Sequence, residues 1–191
     1  MGNIFTILIG TIFVNNLALT KLVSVGQLAN LGENEEDSLA VGLSSAFIMS
    51  LSSILAYVVY QYVLVSAGLT VLNLLVYAII VYLVMLLVSR MLKTVKPLIY
   101  DRVKGILPIL TINSAVFYLL LDNINQELDF GSMLLTSIGA PIGLLLAFVI
   151  YGAVKERLAV SEVPQAFKGL PILLIFAALA LLAISGLGGI V

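Results

Sequence analysis

Cysteine, histidine and tryptophan are all absent from the 191 residues of this chain. Without cysteine, the chain forms no disulfide, offers no thiolate to a metal and has no thiol nucleophile. Without histidine, it also lacks the imidazole ligand that commonly holds zinc or haem iron. These absences exclude thiol-dependent enzymes and metal centres built from thiolate or imidazole ligands.

Charged residues are also scarce. Asp, Glu, Lys and Arg together make up 10% of the chain, whereas hydrophobic residues make up 62%. Soluble domains are nearer to about 45–50% apolar. A membrane-spanning helix needs about 20 mostly apolar residues, so the chain has room for about six of them and for little else. We therefore predict an all-α integral membrane protein with one membrane domain and no soluble catalytic module.

The apolar stretches suggest six spans arranged as an internal repeat. The predicted spans cover about 3–23, 38–60, 69–89, 105–121, 131–152 and 170–189. They divide into a first repeat over about 1–90 and a second over about 100–191. Because each repeat has an odd number of spans, the two repeats insert with opposite orientations. The expected fold is two inverted three-helix repeats.

The positive charges all fall on one side of this arrangement. They are Lys21, Arg90, Lys93, Lys96, Arg102, Lys104, Lys155, Arg157 and Lys168. Cytoplasmic loops carry the excess of Lys and Arg, so the loops 90–104 and 153–169 are predicted to be cytoplasmic and both termini extracytoplasmic. The acidic run at 33–37 falls on the same side, where it is either a solvated helix start or a docking surface for a basic partner.

Amide side chains stand in the middle of the first and fourth spans. Asn15 and Asn16 interrupt the first span, and Asn113 has the corresponding place in the fourth. Pro108 lacks a backbone donor and should disturb the fourth span one turn before Asn113. We predict that both helices are interrupted at mid-membrane, where inverted repeats place their functional sites. The predicted central site consists of Asn15, Asn16, Thr111, Asn113 and Ser114.

The same polar residues have a simpler interpretation, in which they only link neighbouring helices by hydrogen bonds. The centres of the predicted spans contain no Asp, Glu, Lys, Arg or His, which argues against a proton path built on carboxylates. A cation crossing the chain would have to be bound by carbonyls, amides and hydroxyls. In the fifth span, Gly139 and Gly143 form a small-xxx-small pattern that predicts close helix packing.

Three stretches of the chain resemble one family of membrane proteins. They are Leu8-Ile-Gly-Thr-Ile-Phe-Val-Asn-Asn16, Gly105-Ile-Leu-Pro-Ile-Leu-Thr-Ile-Asn-Ser-Ala-Val116 and Lys155-Glu-Arg-Leu-Ala-Val-Ser-Glu-Val-Pro-Gln-Ala-Phe-Lys-Gly169. The third is the most specific, because lipid does not force a polar loop pattern. The chain resembles the A subunit of the Rnf electron-transport complex and the related E subunit of the sodium-pumping NADH:quinone reductase, over essentially its whole length.

This resemblance implies a six-helix component of a redox-driven, ion-translocating complex in the prokaryotic plasma membrane, not catalytic by itself. It implies a paralogous six-helix partner and flavin-bearing subunits, with no role in nucleic-acid binding. In such complexes the two paralogues share a [2Fe-2S] cluster, to which each contributes two cysteines. The matching positions here are Gly26 and Ser114. Neither offers a thiolate, so we expect this chain to hold no cluster with its own ligands.

Two other functions are compatible with the sequence. Inverted repeats with interrupted helices are also typical of secondary transporters, so the chain is alternatively a transport module for an ion or a small solute. It is also possible to interpret the chain as a structural membrane scaffold, in which Asn16 and Asn113 serve packing alone. The three hypotheses differ in the role of the central amides.

Overall fold

The described part of the chain is built from helices. The computed structural model describes residues 4–21, 23 and 35–186, and every regular element within them is helical. The helices are α1 (Ile4–Ile9, continued by a π turn Gly10–Val14), α2 (Glu35–Val59, continued by a π turn Tyr60–Leu64 and a final turn Val65–Ala67), α3 (Asn73–Val95), α4 (Pro97–Val103), α5 (Leu107–Leu110), α6 (Ser114–Asn125), α7 (Phe130–Ala159) and α8 (Leu170–Ser185), with 3-10 turns at Thr70–Leu72 and Gln165–Phe167. The prediction of an all-α protein is confirmed.

The apolar character of these helices fits a membrane protein. Within the described residues, four helical stretches are long and apolar enough to cross a membrane: Ser38–Ala67, Thr70–Val95, Leu107–Asn125 and Phe130–Ala159. Two shorter apolar helices, Ile4–Val14 and Leu170–Ser185, lie where the first and last spans are predicted. The first predicted span is therefore helical only as far as Val14.

The first helix ends at the predicted interruption. Its last turn widens to a π turn, in which the backbone amide of Asn15 donates to the carbonyl of Gly10 at 2.7 Å. After Asn15 the chain makes tight turns, and the amide of Thr20 donates to the carbonyl of Asn16 at 2.9 Å. The helix ends here because the side chain of Asn16 offers hydrogen bonds that compete with those of a continued helix.

The fourth predicted span is interrupted as well, but not in the way that Pro108 suggested. Pro108 lies in the first turn of α5, where a missing backbone donor costs nothing. The interruption follows α5, at Thr111 and Ile112, and the backbone of Asn113 is extended with φ −71° and ψ 120°. Helix α6 begins at Ser114.

Helices α2 and α7 form the centre of the molecule and run antiparallel. Ser53 faces Ser137, whereas Gly42, nearer the start of α2, faces Phe148, nearer the end of α7. Helix α1 packs against α7, and α3, α4 and α6 pack against α2. The core that results contains fully buried apolar side chains, among them Ile48, Met49, Leu119, Leu120, Leu144 and Phe148.

The end of α7 extends beyond the predicted span. The sequence placed this end near residue 152, but the helix continues to Ala159 and carries Lys155 and Arg157 on its final turns. At its other end, Asp129 caps the helix and accepts hydrogen bonds from the amides of Gly131 at 3.1 Å and Ser132 at 3.4 Å. Charged residues therefore do not mark where this helix ends.

The acidic run at 33–37 overlaps the start of α2, which begins at Glu35 within the described residues. Its Glu36 forms an ion pair with Arg102 of α4 at 2.6 Å, and both side chains are exposed. An exposed pair of this kind contributes little stability, at most about 1 kcal/mol. The structure therefore fits the solvated helix start, and the acidic charge is shared with a basic residue of the same chain.

Candidate functional site at the two helix breaks

The break after α1 is organised by the side chain of Asn16, which is fully buried. Its Oδ1 accepts hydrogen bonds from the backbone amides of Ala18 at 3.0 Å and Leu19 at 3.1 Å. Its Nδ2 donates to the carbonyls of Ile12 at 2.9 Å and Gly143 at 2.7 Å. Both hydrogens and both lone pairs of the amide are used. Asn16 thus satisfies backbone groups that the break frees, and it links α1 to α7.

The link depends on a close approach of the two helices. A Cβ atom on Gly143 would lie 2.8 Å from the backbone oxygen of Ile12, and one on Gly139 would collide with the hydroxyl of Thr11. Both glycines are buried on the face of α7 that meets α1. The predicted role of this glycine pair in close helix packing is confirmed.

The second break is organised by Asn113. Its side chain is 1% exposed, and its Oδ1 accepts a hydrogen bond from the amide of Ala115 at 2.8 Å, which makes Asn113 the N-cap of α6. The hydroxyl of Thr111 donates to the carbonyl of Pro108 at 2.6 Å. Amide and hydroxyl side chains therefore replace backbone hydrogen bonds at this break.

The five predicted site residues do not share one environment. Asn16 and Asn113 are buried, Thr111 is half-buried, and Asn15 and Ser114 are exposed. The hydrogen bonds of Asn16 to described residues stay within α1, the turn after it and α7. Asn15 instead lines a cavity between α1, α6 and α7. Gly26 lies outside the described residues.

The cavity next to Asn15 is a polar cleft that the sequence did not predict. It has a volume of about 410 Å³ and lies between α1, α6 and α7. Its polar lining includes Thr6, Thr11, Asn15, Lys21, Asp122, Gln126, Ser132 and Thr136. The carboxylate of Asp122 accepts a hydrogen bond from the Gln126 amide at 2.6 Å. One sequence signal pointed here, since Thr6 and Gly10 are four residues apart and therefore lie on one face of α1.

A second polar cluster that the sequence missed lies inside the helix bundle. The hydroxyls of Ser53 and Ser137 are 2.7 Å apart, and Nδ2 of Asn123 donates to them at 2.9 Å and 3.2 Å. All three side chains are at most 1% exposed. The cluster joins α2, α6 and α7. The sequence carries no clear signal for it, because Asn123 stands among polar residues just beyond the fourth predicted span.

Neither break offers the ligands that an iron–sulfur cluster needs. Ser114 presents an exposed hydroxyl at the start of α6, and Gly26 has no side chain. The described residues contain no group of three or more His, Cys, Asp or Glu side chains that could hold a metal ion. Iron–sulfur clusters are held by thiolates, with histidine as the usual substitute. The donor atoms at these positions therefore do not fit a four-thiolate cluster.

Comparison with known proteins agrees with the resemblance noted in the sequence. A family described as "Rnf-Nqr subunit, membrane protein" matches residues 4–191. The chain is 32% identical over 191 residues to the A subunit of the ion-translocating oxidoreductase complex of Edwardsiella ictaluri, covering 100% of this chain and 99% of the relative. It is 33% identical over 192 residues to the protein of the same name in Hahella chejuensis, covering 100% and 99%.

The corresponding protein of Vibrio atlanticus is 31% identical over 191 residues, with both chains covered completely. The matched ranges therefore extend over both breaks, α7 and the basic segment that follows it. The chain belongs to the Rnf-Nqr family of membrane-protein subunits.

Proposed function

We propose that this chain is a membrane component of an ion-translocating electron-transport complex, in which it forms half of the transmembrane core beside a paralogous six-helix subunit. The observation that carries this proposal is the full-length similarity to proteins named as the A subunit of an ion-translocating oxidoreductase complex. Proteins with that name work within an assembly. The chain is therefore not catalytic by itself.

Within this proposal the chain is an inverted repeat. Asn113 follows Asn16 by the same number of residues as Leu170, the first residue of α8, follows Asn73, the first residue of α3. The packing follows the same relation, because α1 contacts α7 while α6 contacts α2. The antiparallel pair α2 and α7 then lies on the pseudo-two-fold axis. These relations support two halves of opposite orientation.

The lengths of the helices support breaks at mid-membrane. Helix α1 has six α-helical residues and a five-residue π turn, so it rises about 16 Å before the chain turns at Asn15. Helix α6 has 12 residues and rises about 18 Å from its cap at Asn113. Each distance is about half of a hydrocarbon core of about 30 Å. We infer that Asn15, Asn16, Thr111, Asn113 and Ser114 lie near the bilayer centre.

The orientation follows from the basic helix ends. Helices α3 and α7 both run antiparallel to α2, so their C-terminal ends lie on the same side. Both ends are basic: α3 carries Arg90 and Lys93, and α7 carries Lys155 and Arg157. We propose that this side faces the cytoplasm of a prokaryotic cell and that both termini face outward. Because the donor atoms at Gly26 and Ser114 do not fit a cluster, we also propose that other subunits carry the electron-transferring cofactors.

Affinity purification tests the proposed assembly. The tagged chain is extracted from its native membrane in a mild detergent, and the proteins that elute with it are identified by mass spectrometry. We expect a second six-span membrane protein and flavin-bearing subunits, absent from a parallel purification of an unrelated tagged membrane protein. Recovery of the chain alone, from a membrane that contains those subunits, would contradict the proposal.

The polar cleft favours a second candidate function, transport of an ion or a small solute. Its volume of about 410 Å³ and its opposite charges, Lys21 and Asp122, suit a small polar guest. Proteoliposomes that contain only this chain distinguish the two functions. Uptake of an ion or solute without any electron donor would favour the transporter, whereas uptake that needs the whole complex and a reductant would favour the electron-transport role.

A further inference from the structure

A second cavity lies at the end of the bundle that carries the basic residues. It has a volume of about 350 Å³ and is formed where α7 ends and α8 begins. Its lining includes Lys155, Ser161, Lys168, Gly169, Ile172 and Leu173. These residues come from the polar segment 155–169 and the start of α8, and the proposed function does not explain the pattern of that segment.

Local structure brings the two lysines of this cavity to one place. Lys155 lies on the last turns of α7, and Lys168 lies two residues before α8. The chain enters α8 through Gly169, whose φ of +82° is a conformation that glycine adopts readily. This turn brings the start of α8 back towards the end of α7. The cavity therefore has two basic side chains from residues that are well separated along the chain.

The remaining wall of the cavity is apolar. Leu158 and Ala159 face it from α7, Val163 from the loop, and Ile172 and Leu173 from α8. Glu156 and Glu162 belong to the same segment, but both are exposed and neither lines the cavity. The cavity thus combines two basic side chains with an apolar slot that is lined in part by the start of α8.

We propose that this cavity binds an anionic phospholipid, with the headgroup phosphate between Lys155 and Lys168 and the start of an acyl chain along Ile172 and Leu173. A basic pocket between helices at the membrane boundary suits an anionic headgroup. The positive end of the α8 dipole points to the same place. A free phosphate would leave the apolar wall in water, and a neutral lipid would bring no net charge to match the two lysines.

Native mass spectrometry of the purified full-length chain tests this proposal. The chain in neutral detergent is titrated with phosphatidylglycerol and, separately, with phosphatidylcholine. We expect retention of phosphatidylglycerol only. The double variant Lys155→Gln/Lys168→Gln should bind it about 30-fold more weakly, since each basic residue near an anionic surface contributes about 1 kcal/mol. The matched control Lys93→Gln/Lys96→Gln removes the same charge elsewhere at the basic end and should bind like the unaltered chain.

A variant of the slot separates the two parts of the ligand. Ala159→Phe keeps both lysines but fills the slot, so it should weaken lipid binding, and inorganic phosphate should not displace the lipid. Displacement by phosphate together with normal binding by Ala159→Phe would overturn the proposal in favour of a free-anion site. Equal losses in the two lysine pairs, or equal retention of both lipids, would also overturn it. The proposal would also be overturned if the Lys155/Lys168 variant kept its phosphatidylglycerol but lost a protein that co-purifies with the unaltered chain. Unchanged circular dichroism and thermal unfolding verify that each variant is folded.

Discussion

The side-chain amide of Asn16 donates a hydrogen bond of 2.7 Å to the backbone carbonyl of Gly143. This bond joins the point where α1 stops to the middle of α7. It is possible only because Gly143 has no side chain, so that α1 can lie directly on the backbone of α7. The break in α1 is therefore held by another helix and is not a frayed end.

Replacement of Asn16 by alanine should destabilise the protein. The substitution removes four hydrogen bonds and leaves buried backbone groups without partners, at a cost of about 1–3 kcal/mol for each group that remains unsatisfied. We expect a clear drop in the thermal unfolding midpoint in detergent. Asn15→Ala changes the same kind of side chain at an exposed neighbouring position and should have little effect. Equal midpoints for the two variants would show that the Asn16 bonds contribute nothing.

Gly143→Ala should separate α1 from α7. Its Cβ would lie 2.8 Å from the Ile12 backbone oxygen, and this backbone can yield only if the helix moves, so we expect destabilisation of about 1–3 kcal/mol. Gly10→Ala is the matched control, because a Cβ at Gly10 meets nothing within 4 Å. Thermal unfolding of both variants measures the difference. A Gly143→Ala protein as stable as Gly10→Ala would contradict the close packing of the two helices.

The buried cluster of Ser53, Asn123 and Ser137 should show energetic coupling. A double-mutant cycle with Asn123→Ala and Ser53→Ala should give a coupling energy of about 0.6 kcal/mol and at most about 1.7, the range found for hydrogen bonds between membrane helices. The control cycle uses Ser66→Ala instead of Ser53→Ala. Ser66 is exposed, and its hydroxyl donates to carbonyls of its own helix. Coupling of the same size in both cycles would mean that the first reports no direct contact.

The start of α7 should weaken in acid. Hydrogen bonds from the Ser132 hydroxyl and from the amides of Ser132 and Gly131 favour the charged carboxylate and lower the pKa of Asp129 below its ordinary value of 3.8. Its contribution to stability is therefore present above pH 3.8 and is lost as the pH falls through the lowered pKa. The Asp129→Asn variant keeps a capping oxygen but cannot titrate. The difference in unfolding midpoint between the two proteins should shrink as the pH falls below 3.8 and through the lowered pKa, and a constant difference would contradict this account.

The sequence predicted the two breaks because their signal is local. An asparagine in an apolar run offers bonds that compete with the helix, and both Asn16 and Asn113 do so here. The predicted role of Pro108 in the second break was less accurate, since Pro108 is accommodated in a first helical turn. The C-terminal end of α7 was missed because Lys155 and Arg157 were interpreted as loop residues, although a helix can continue beyond the membrane.

The partners of the predicted residues could not be derived in the same way. Asn16 and Gly143 are 127 positions apart, and their contact depends on how α1 crosses α7. The cluster around Asn123 depends on the rotation of three helices about their axes. Apolar helices give few clues to this rotation, because lipid and protein interior have similar polarity. The sequence therefore located the polar residues but did not show which of them meet.

The position of the two breaks in the bilayer is the most direct test of the account. A cryo-electron microscopy map of the chain in a lipid nanodisc, obtained with a bound antibody fragment, gives the height of Asn16 and of Asn113 relative to the two headgroup layers. We predict that both lie within about 5 Å of the centre of a hydrocarbon core of about 30 Å. A map in which either residue lies at headgroup level, or in which α5 and α6 form one uninterrupted helix, would contradict the inverted repeat with its central amides.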